Sequence, residues 1–350
     1  MSISRLMQMG AAGAGGGSQV FLLGSRDGST STDDSVTSIE YAGNSFTVLD
    51  RIVISNFPHL RDIRLDPDFG DAKLFGDGIC TLDYSDLSNL SSAVILENNQ
   101  YYSGLINTIR NRIYALDGTA IDEFSYNASS TTFEGVGENI FSSGRKIMFD
   151  RSRQVLFGCS YTNDNFVAFD ATSTLQGSST LSEVTGINGA GEFVLDLSSN
   201  YAYVSGFEGF HVIDISNPSA MSELTNYNTD PQLSEDIRVM AHDTDRSIIF
   251  AWTDDTNEFL SIDISNPLSV SVLGSYSSAS YTDVGALTYD PELQTAFFCD
   301  RGSSAIVAID CSDPSNPSEV ASLTDATNIA DIESMIPLIE YSHLSTNVYT

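Results

Sequence analysis

The sequence predicts an all-β chain, a single seven-bladed β-propeller closed by strands from both ends, and two recurring landmarks carry that prediction. The first is an apolar strand running into Asp. It occurs as Thr81-Leu82-Asp83-Tyr84, Ala120-Ile121-Asp122-Glu123, Ala168-Phe169-Asp170-Ala171, Val212-Ile213-Asp214-Ile215, Ser261-Ile262-Asp263-Ile264 and Ala308-Ile309-Asp310-Cys311. Successive Asp residues lie 39, 48, 44, 49 and 47 positions apart. A repeat of about 45 residues with strand-like content is the signature of a propeller blade. The second landmark is an apolar run entering a turn at Asp66, Asp150, Asp196, Asp243 or Asp290, which precede the strand-ending Asp residues by 17, 20, 18, 20 and 20 positions. Asp suits such turns because its carboxylate accepts hydrogen bonds from the backbone that follows.

The elements follow in chain order. Residues 1–18 read as a short, flexible Gly/Ala-rich tail, and 19–350 as the propeller. Strands are expected over 20–23 and 36–41, with Ile39-Glu40 falling 43 residues before Asp83. The runs 72–75, 155–158, 201–204, 248–252 and 295–298 are continuously apolar, as expected of strands covered on both faces by neighbouring blades. The sixth repeat reads as four strands over 269–276, 284–289, 295–299 and 305–310. Ser216-Asn217-Pro218, Ser265-Asn266-Pro267 and Ser312-Asp313-Pro314 then stop the pairing, since Asn or Asp turns the chain and Pro has no N–H to donate. The second repeat is the least regular. Residues 320–323, 335–341 and 348–349 remain at the C-terminal end. Joined to the N-terminal strands, they make a seventh blade that leaves no open sheet edge.

Charge narrows the partners. The chain has 47 acidic and 15 basic residues, a formal net charge of -32, and Lys73 and Lys146 are its lysines. Such a surface repels phosphates and anionic lipid, so nucleic acid and membrane are not expected partners. Solubility or adaptation to salt accounts for the acidity, with cation binding as the other reading. Membrane insertion is not expected either, because no stretch approaches 18 apolar residues. Cys80, Cys159, Cys299 and Cys311 have no paired spacing and read as free, buried thiols compatible with a reducing cytoplasm.

Known chemistry finds no foothold in the motifs. His59, His211, His242 and His343 have no zinc-ligand spacing, and neither Cys-x-x-Cys nor Gly-x-Ser-x-Gly occurs. His211 lies inside a predicted strand, where a structural imidazole is expected. The glycine-rich run at 10–17 has no strand before it and no Lys-Ser or Lys-Thr after it, so it is no phosphate loop. The acidic loops Asp254-Asp255-Thr256-Asn257-Glu258 and Asn163-Asp164-Asn165 depart from the register of calcium loops and read as hydrated turns. The expectation is therefore no catalytic residue, no metal, no cofactor and no enzyme.

Two resemblances shape the functional expectation. Val212-Ile213-Asp214-Ile215-Ser216-Asn217-Pro218, its counterparts at 261–267 and 308–314, and Asn200-Tyr201-Ala202-Tyr203-Val204-Ser205-Gly206 resemble the LVIVD repeat of bacterial and archaeal propellers. The resemblance runs over about 187–323 and implies a surface or extracellular propeller without assigned chemistry. Met1-Ser2-Ile3-Ser4-Arg5-Leu6-Met7-Gln8-Met9-Gly10, continuing through residue 17, resembles the leader of virion structural proteins of marine tailed phages. It implies an anchoring peptide in which Arg5, Leu6, Met7 and Met9 make the contact. Together they give a non-catalytic propeller of a phage virion, assembled in the host cytoplasm and exposed on the particle. It would be attached to other virion proteins through its tail as part of a multi-copy assembly, in decoration, tail, fibre or host-surface binding. The alternatives are a cellular surface or exported propeller that binds glycans or proteins and, third, a polysaccharide hydrolase.

Overall fold

The computed structural model describes residues 18–26, 34–54, 57, 59–66, 71–95, 100–125, 134–175, 179–338 and 348–349. Among them the chain forms seven antiparallel sheets and no helix. The closing sheet, blade seven, takes β1 (Ser18–Ser25), β2 (Asp34–Ala42) and β3 (Ser45–Ile54) from the N-terminal part. Blade one is β4 (Asp62–Asp66), β5 (Asp71–Gly76), β6 (Gly78–Asp83) and β7 (Ser91–Ile95). Blade two is β8 (Ser103–Asn107), β9 (Arg112–Leu116), β10 (Ala120–Ser125) and β11 (Glu134–Ile140). Blade three is β12 (Gly144–Asp150), β13 (Val155–Ser160), β14 (Asn165–Asp170) and β15 (Thr180–Thr185). Blade four is β16 (Glu192–Asp196), β17 (Tyr201–Gly206), β18 (Gly209–Asp214) and β19 (Ser222–Asn226). Blade five is β20 (Ile237–Asp243), β21 (Ile248–Thr253), β22 (Glu258–Asp263) and β23 (Ser271–Ser277). Blade six is β24 (Val284–Asp290), β25 (Thr295–Asp300), β26 (Ala305–Asp310) and β27 (Ser318–Thr324). Blade seven is completed on its inner edge by β28 (Ile332–Pro337).

The inner strands β4, β8, β12, β16, β20, β24 and β28 neighbour one another around a central channel. One apolar cluster fills each interface between consecutive blades. Phe75 and Ile79 meet Tyr101 and Ile106 between blades one and two, and Phe250 and Trp252 meet Phe298 and Val307 between five and six. Strands β13, β21 and β25 are buried along their whole length, as their unbroken apolar runs require. Each such Phe or Leu contributes about 1.5–3 kcal/mol on leaving water. Gly104 permits one of the tightest approaches: a Cβ there would lie 2.1 Å from Phe75 Cζ.

The Asp landmarks do what their chemistry suggests. Asp150 Oδ1 accepts from Ser152 N and Arg153 N at 2.9 and 3.0 Å, and Asp196, Asp243 and Asp290 repeat the pattern. The strand-ending Asp83, Asp170, Asp214, Asp263 and Asp310 each cap a backbone N–H two residues on. On this lower face, arginines staple one blade to the next. Arg110, Arg153 and Arg246 donate to the carbonyls of Ala171, Ile215 and Cys311 at 2.6, 2.6 and 2.8 Å. Arg246 also pairs with the buried Asp243 at 2.5 Å and donates to Tyr289 Oη at 2.6 Å. Replacing Arg246 by Ala strands a buried carboxylate, so Arg246→Ala is expected to cost about 3 kcal/mol. The checking measurement is urea unfolding; a loss below about 1 kcal/mol would show the staple to be idle.

Four expectations need correction. The repeat is out of phase by one strand: 269–276 falls in β23, the outer strand of blade five, not in blade six. The outer strand is reached last because each blade is laid down from the channel outward. Ala120-Ile121-Asp122-Glu123 does not end a strand but begins β10, which continues to Ser125; this accounts for the anomalous spacing of 39. The closure of blade seven by strands from both ends is as expected, and its C-terminal member is β28, which pairs with β1 through Leu22↔Ile336 and Leu23↔Met335. Residues 320–323 belong to β27, and β29 (Val348–Tyr349) pairs with the inner edge of β12 through Phe149↔Tyr349 and Asp150↔Val348. Strand β3, whose apolar residues Phe46, Val48, Leu49 and Ile52 are only half-buried on the outer edge of blade seven, was not predicted from the sequence.

Candidate active site at the channel mouth

Because every blade begins at the channel, the first residues of all seven inner strands, with the turns leading out of the second strands, line one upper mouth. The sequence concentrates its scarce positive charge there. Of 15 basic residues, Arg26, Arg61, Arg64, Arg145, Lys146, Arg238 and Arg301 occupy this rim. They lie beside or within β1, β4, β12, β20 and β25.

The mouth has two chemically different arcs. Around blades five to seven, guanidinium groups alternate with carboxylates. Arg238 Nη1 lies 3.0 Å from both Asp254 Oδ2 and Asp283 Oδ1. Arg301 pairs with Asp283 and reaches Glu333 Oε1 at 2.9 Å, with Arg26 at 3.9 Å from the same oxygen. Asp300 Oδ1 fixes the linker into blade six by accepting from Thr282 N and Asp283 N at 2.8 and 2.7 Å. Burial pushes the carboxyls of Asp236, Asp254, Asp283, Asp331 and Glu333 above their ordinary range, and the arginines offset part of that push.

Around blades one to four the rim is cationic and aromatic. Asp62 Oδ2 accepts from Arg64 Nε, Gly104 N and Ser103 Oγ at 3.1, 2.9 and 3.2 Å. Arg64 Nε donates in addition to the Gly104 carbonyl at 3.0 Å, so its guanidinium is held across the gap between blades one and two. Lys146, near the start of β12, forms an ion pair with Glu192, the first residue of β16. Burial raises the Glu192 carboxyl above its ordinary range, opposed first by Lys146 and, across the channel, by Arg64. The Arg61 guanidinium stacks 4.3 Å from the Tyr102 ring centre, and Arg145 lies 5.9 Å from the same ring and 4.7 Å from that of Tyr161. Tyr161 in turn meets Phe207 edge-on at 4.9 Å.

Glu192 is partly buried, next to a lysine and within the field of an arginine, and burial holds its carboxyl above its ordinary range, which makes it the proton-exchanging group of this arc. The adjoining cations can hold developing negative charge.

The residues singled out in the sequence fare differently. Arg5, Leu6, Met7 and Met9 lie outside the described residues. His211 is buried, its Nδ1 2.7 Å from Glu223 Oε1, a structural role as expected. His242 is half-buried on β20, and desolvation lowers its pKa. All four cysteines are free and buried, with Cys80, Cys159 and Cys311 pushed up to about 12, which leaves them poor nucleophiles. Asp254 is spent on Arg238, and Asp164 Oδ1 accepts from Gly189 N at 2.8 Å. Among the described residues, no group of three or more His, Cys, Asp or Glu is arranged to hold a metal.

Comparison with known proteins places the fold in context. The LVIVD repeat family matches residues 195–229, 250–278 and 302–325, which lie in blades four to six. No curated protein matches the sequence. Solved structures match over nearly the whole chain. A periplasmic gluconolactonase of Pseudomonas aeruginosa superposes with a TM-score of 0.74 at 11% identity, covering 92% of this chain and 99% of its own. A Lactobacillus plantarum protein gives 0.75 at 11%, covering 92% and 100%. A candidate 6-phosphogluconolactonase from Bacteroides uniformis gives 0.72 at 9%, covering 92% and 99%. At these identities the likeness is one of fold.

These neighbours correct the expectation of a non-catalytic phage-virion component. The full-length likenesses include propellers named as lactonases. The reading of the chain as no enzyme loses its support with it. The physical reason for the error is that the sequence reading found no contiguous motif, whereas this mouth is assembled one or two residues per blade.

Proposed function

We propose that the chain is a hydrolase that opens a small anionic lactone at the upper channel mouth. The carrying observation is the coincidence there of seven of the 15 basic residues with the partly buried Glu192, whose carboxyl burial holds above its ordinary range. Anionic ligands are drawn to the cationic arc around blades one to four of a chain whose net charge is -32. The names of the fold-wide neighbours, gluconolactonase and 6-phosphogluconolactonase, support the reaction class.

In this reading a water attacks the lactone carbonyl and Glu192 accepts its proton. Lys146 and Arg64 hold the negative charge that builds on the carbonyl oxygen. The ring C–O bond then breaks, the departing oxygen takes the proton back from Glu192, and the hydroxy acid leaves ionised with a proton released to water. The test is proton release from glucono-δ-lactone and 6-phosphoglucono-δ-lactone by the full chain, against the spontaneous rate. Turnover above that rate with either substrate is expected. Rates indistinguishable from buffer for both, at micromolar protein, would sink the reading.

A further inference from the structure

In each blade the second strand climbs back to the upper face, and the residue that leaves it stands at the rim. In five blades that residue is charged: Arg26, Asp77, Asp117, Asp254 and Arg301. In the adjacent blades three and four it is aromatic, Tyr161 and Phe207. Turns favour small polar residues and glycine, yet Phe207 stands in one with 43% of its surface exposed. The fold covers that ring only in part.

The two rings are nonetheless held in place. Their centres lie 4.9 Å apart with the planes at 78°, an angular step rather than a flat platform. Phe207 rests on Gly189, where a Cβ would lie 2.3 Å from Phe207 Cδ2 and the backbone takes φ +67°. Asp164, in the hairpin that begins with Tyr161, secures this loop. Its carboxylate accepts from Gly189 N at 2.8 Å, and its carbonyl accepts from Gly186 N and Ile187 N at 2.8 and 3.0 Å. Phe207 N donates to the Asn188 carbonyl at 2.8 Å, and Asn188 Nδ2 to Glu208 Oε1 at 3.0 Å.

The step stands in register with the reaction groups. Lys146 pairs across its sheet with Cys159, two residues before Tyr161, and Glu192 with Ser205, two residues before Phe207. The exposed Arg145 guanidinium lies 4.7 Å from the Tyr161 ring centre. Apolar ring surface and positive charge meet at one edge of the mouth.

We infer that Tyr161 and Phe207 form a subsite for an aromatic ring carried by the anion that the mouth binds, so that its substrates are aryl-substituted lactones and the hydroxy acids they open to. Two rings near a right angle suit a third, which can stack on one and meet the other edge-on, both favourable contacts. A polyhydroxy chain would instead press hydroxyl groups against apolar carbon without partners. Arg145 supplies the charge complement to the ligand's carboxylate. The inference names the substrate class of the mouth and so rests on the hydrolase reading, yet binding alone decides it.

The experiment is calorimetric titration of the full chain with 3-phenylpropanoate, 3-cyclohexylpropanoate, propanoate and gluconate. The phenyl acid is expected to bind at least about tenfold more tightly than propanoate and about threefold more tightly than the cyclohexyl acid. Phe207→Ser should remove most of the preference over propanoate and leave propanoate affinity within about twofold, whereas Phe207→Tyr should keep it. Arg145→Gln should weaken both acids alike. Thermal melts verify the folds, which an exposed turn residue does not support from within. Equal affinities for the phenyl acid and propanoate, no binding of the phenyl acid at millimolar concentration, or a preference that survives Phe207→Ser combined with Tyr161→Ser would each overturn the subsite. The cyclohexyl acid binding as tightly as the phenyl acid would overturn the assignment to an aromatic ring, and gluconate binding more tightly would overturn the aryl class. A phenyl preference without gluconolactone turnover would retain the subsite and remove the hydrolase; turnover without the preference would do the reverse.

Discussion

Glu192→Gln is expected to lower kcat/KM for lactone opening by at least about 100-fold, the usual contribution of a positioned general base. The amide keeps the size and a hydrogen-bonding oxygen for Lys146 but cannot take a proton. The pH profile separates this role from a structural one. Activity requires ionised Glu192, so it should fall with acidification through a pKa lying above the ordinary carboxylate range, because burial raises it. Lysine 146 is the largest force opposing that rise. Lys146→Met should therefore push the pKa further up and shift the acid limb to higher pH. Glu192→Gln should abolish the limb in whatever activity remains. If Glu192→Gln retained full activity with an unchanged limb, proton transfer would have to be reassigned to another group such as Glu333.

Truncating the chain after Asp331 is expected to abolish cooperative folding. The cut removes β28, which supplies the whole inner strand of the closing blade, and with it the fully buried Ile332 and the mostly buried Met335 that pack against Phe21, Leu23 and Phe297. An unpaired β1 would face the channel as an open edge, the usual template for aggregation. The loss of two buried apolar side chains alone is worth about 3–6 kcal/mol, against a typical stability of about 5–15 kcal/mol. Truncation after Leu338 removes, of the described residues, β29 and its two pairings with β12, so it should shift Tm by no more than about 5 °C. Gel filtration and thermal melts check both. A soluble, cooperatively melting chain ending at Asp331 would show that the ring does not need its closure.

The ring was legible because its turns repeat a chemistry that leaves a trace in sequence. Asp150, Asp196, Asp243 and Asp290 hold their turns with the same two backbone bonds, and buried strands such as β25 admit only apolar residues. The blade phase was not legible, since a strand's apolar pattern does not say on which side of a sheet it pairs. The site was less legible still. Arg61, Tyr102, Lys146 and Glu192 lie on four different blades, and only ring closure brings them to one rim. One signal was nevertheless available. Asp62, Lys146 and Glu192 each stand four residues ahead of a landmark Asp, at Asp66, Asp150 and Asp196. That common offset marks the position where an inner strand opens onto the channel. The search for compact motifs passed over it, because single charged residues among 47 acids look like ordinary surface.

The channel-first order in which each blade is laid down has a consequence for how such a molecule diversifies. Each blade donates one to a few side chains to the rim, from the start of its inner strand or from the turn that leaves its second strand. Exchanging a rim residue in one repeat therefore alters what the opening recognises while the walls stay as they are. Specificity in this architecture is modular: seven separately adjustable letters around an aperture, written on a frame indifferent to the word they spell.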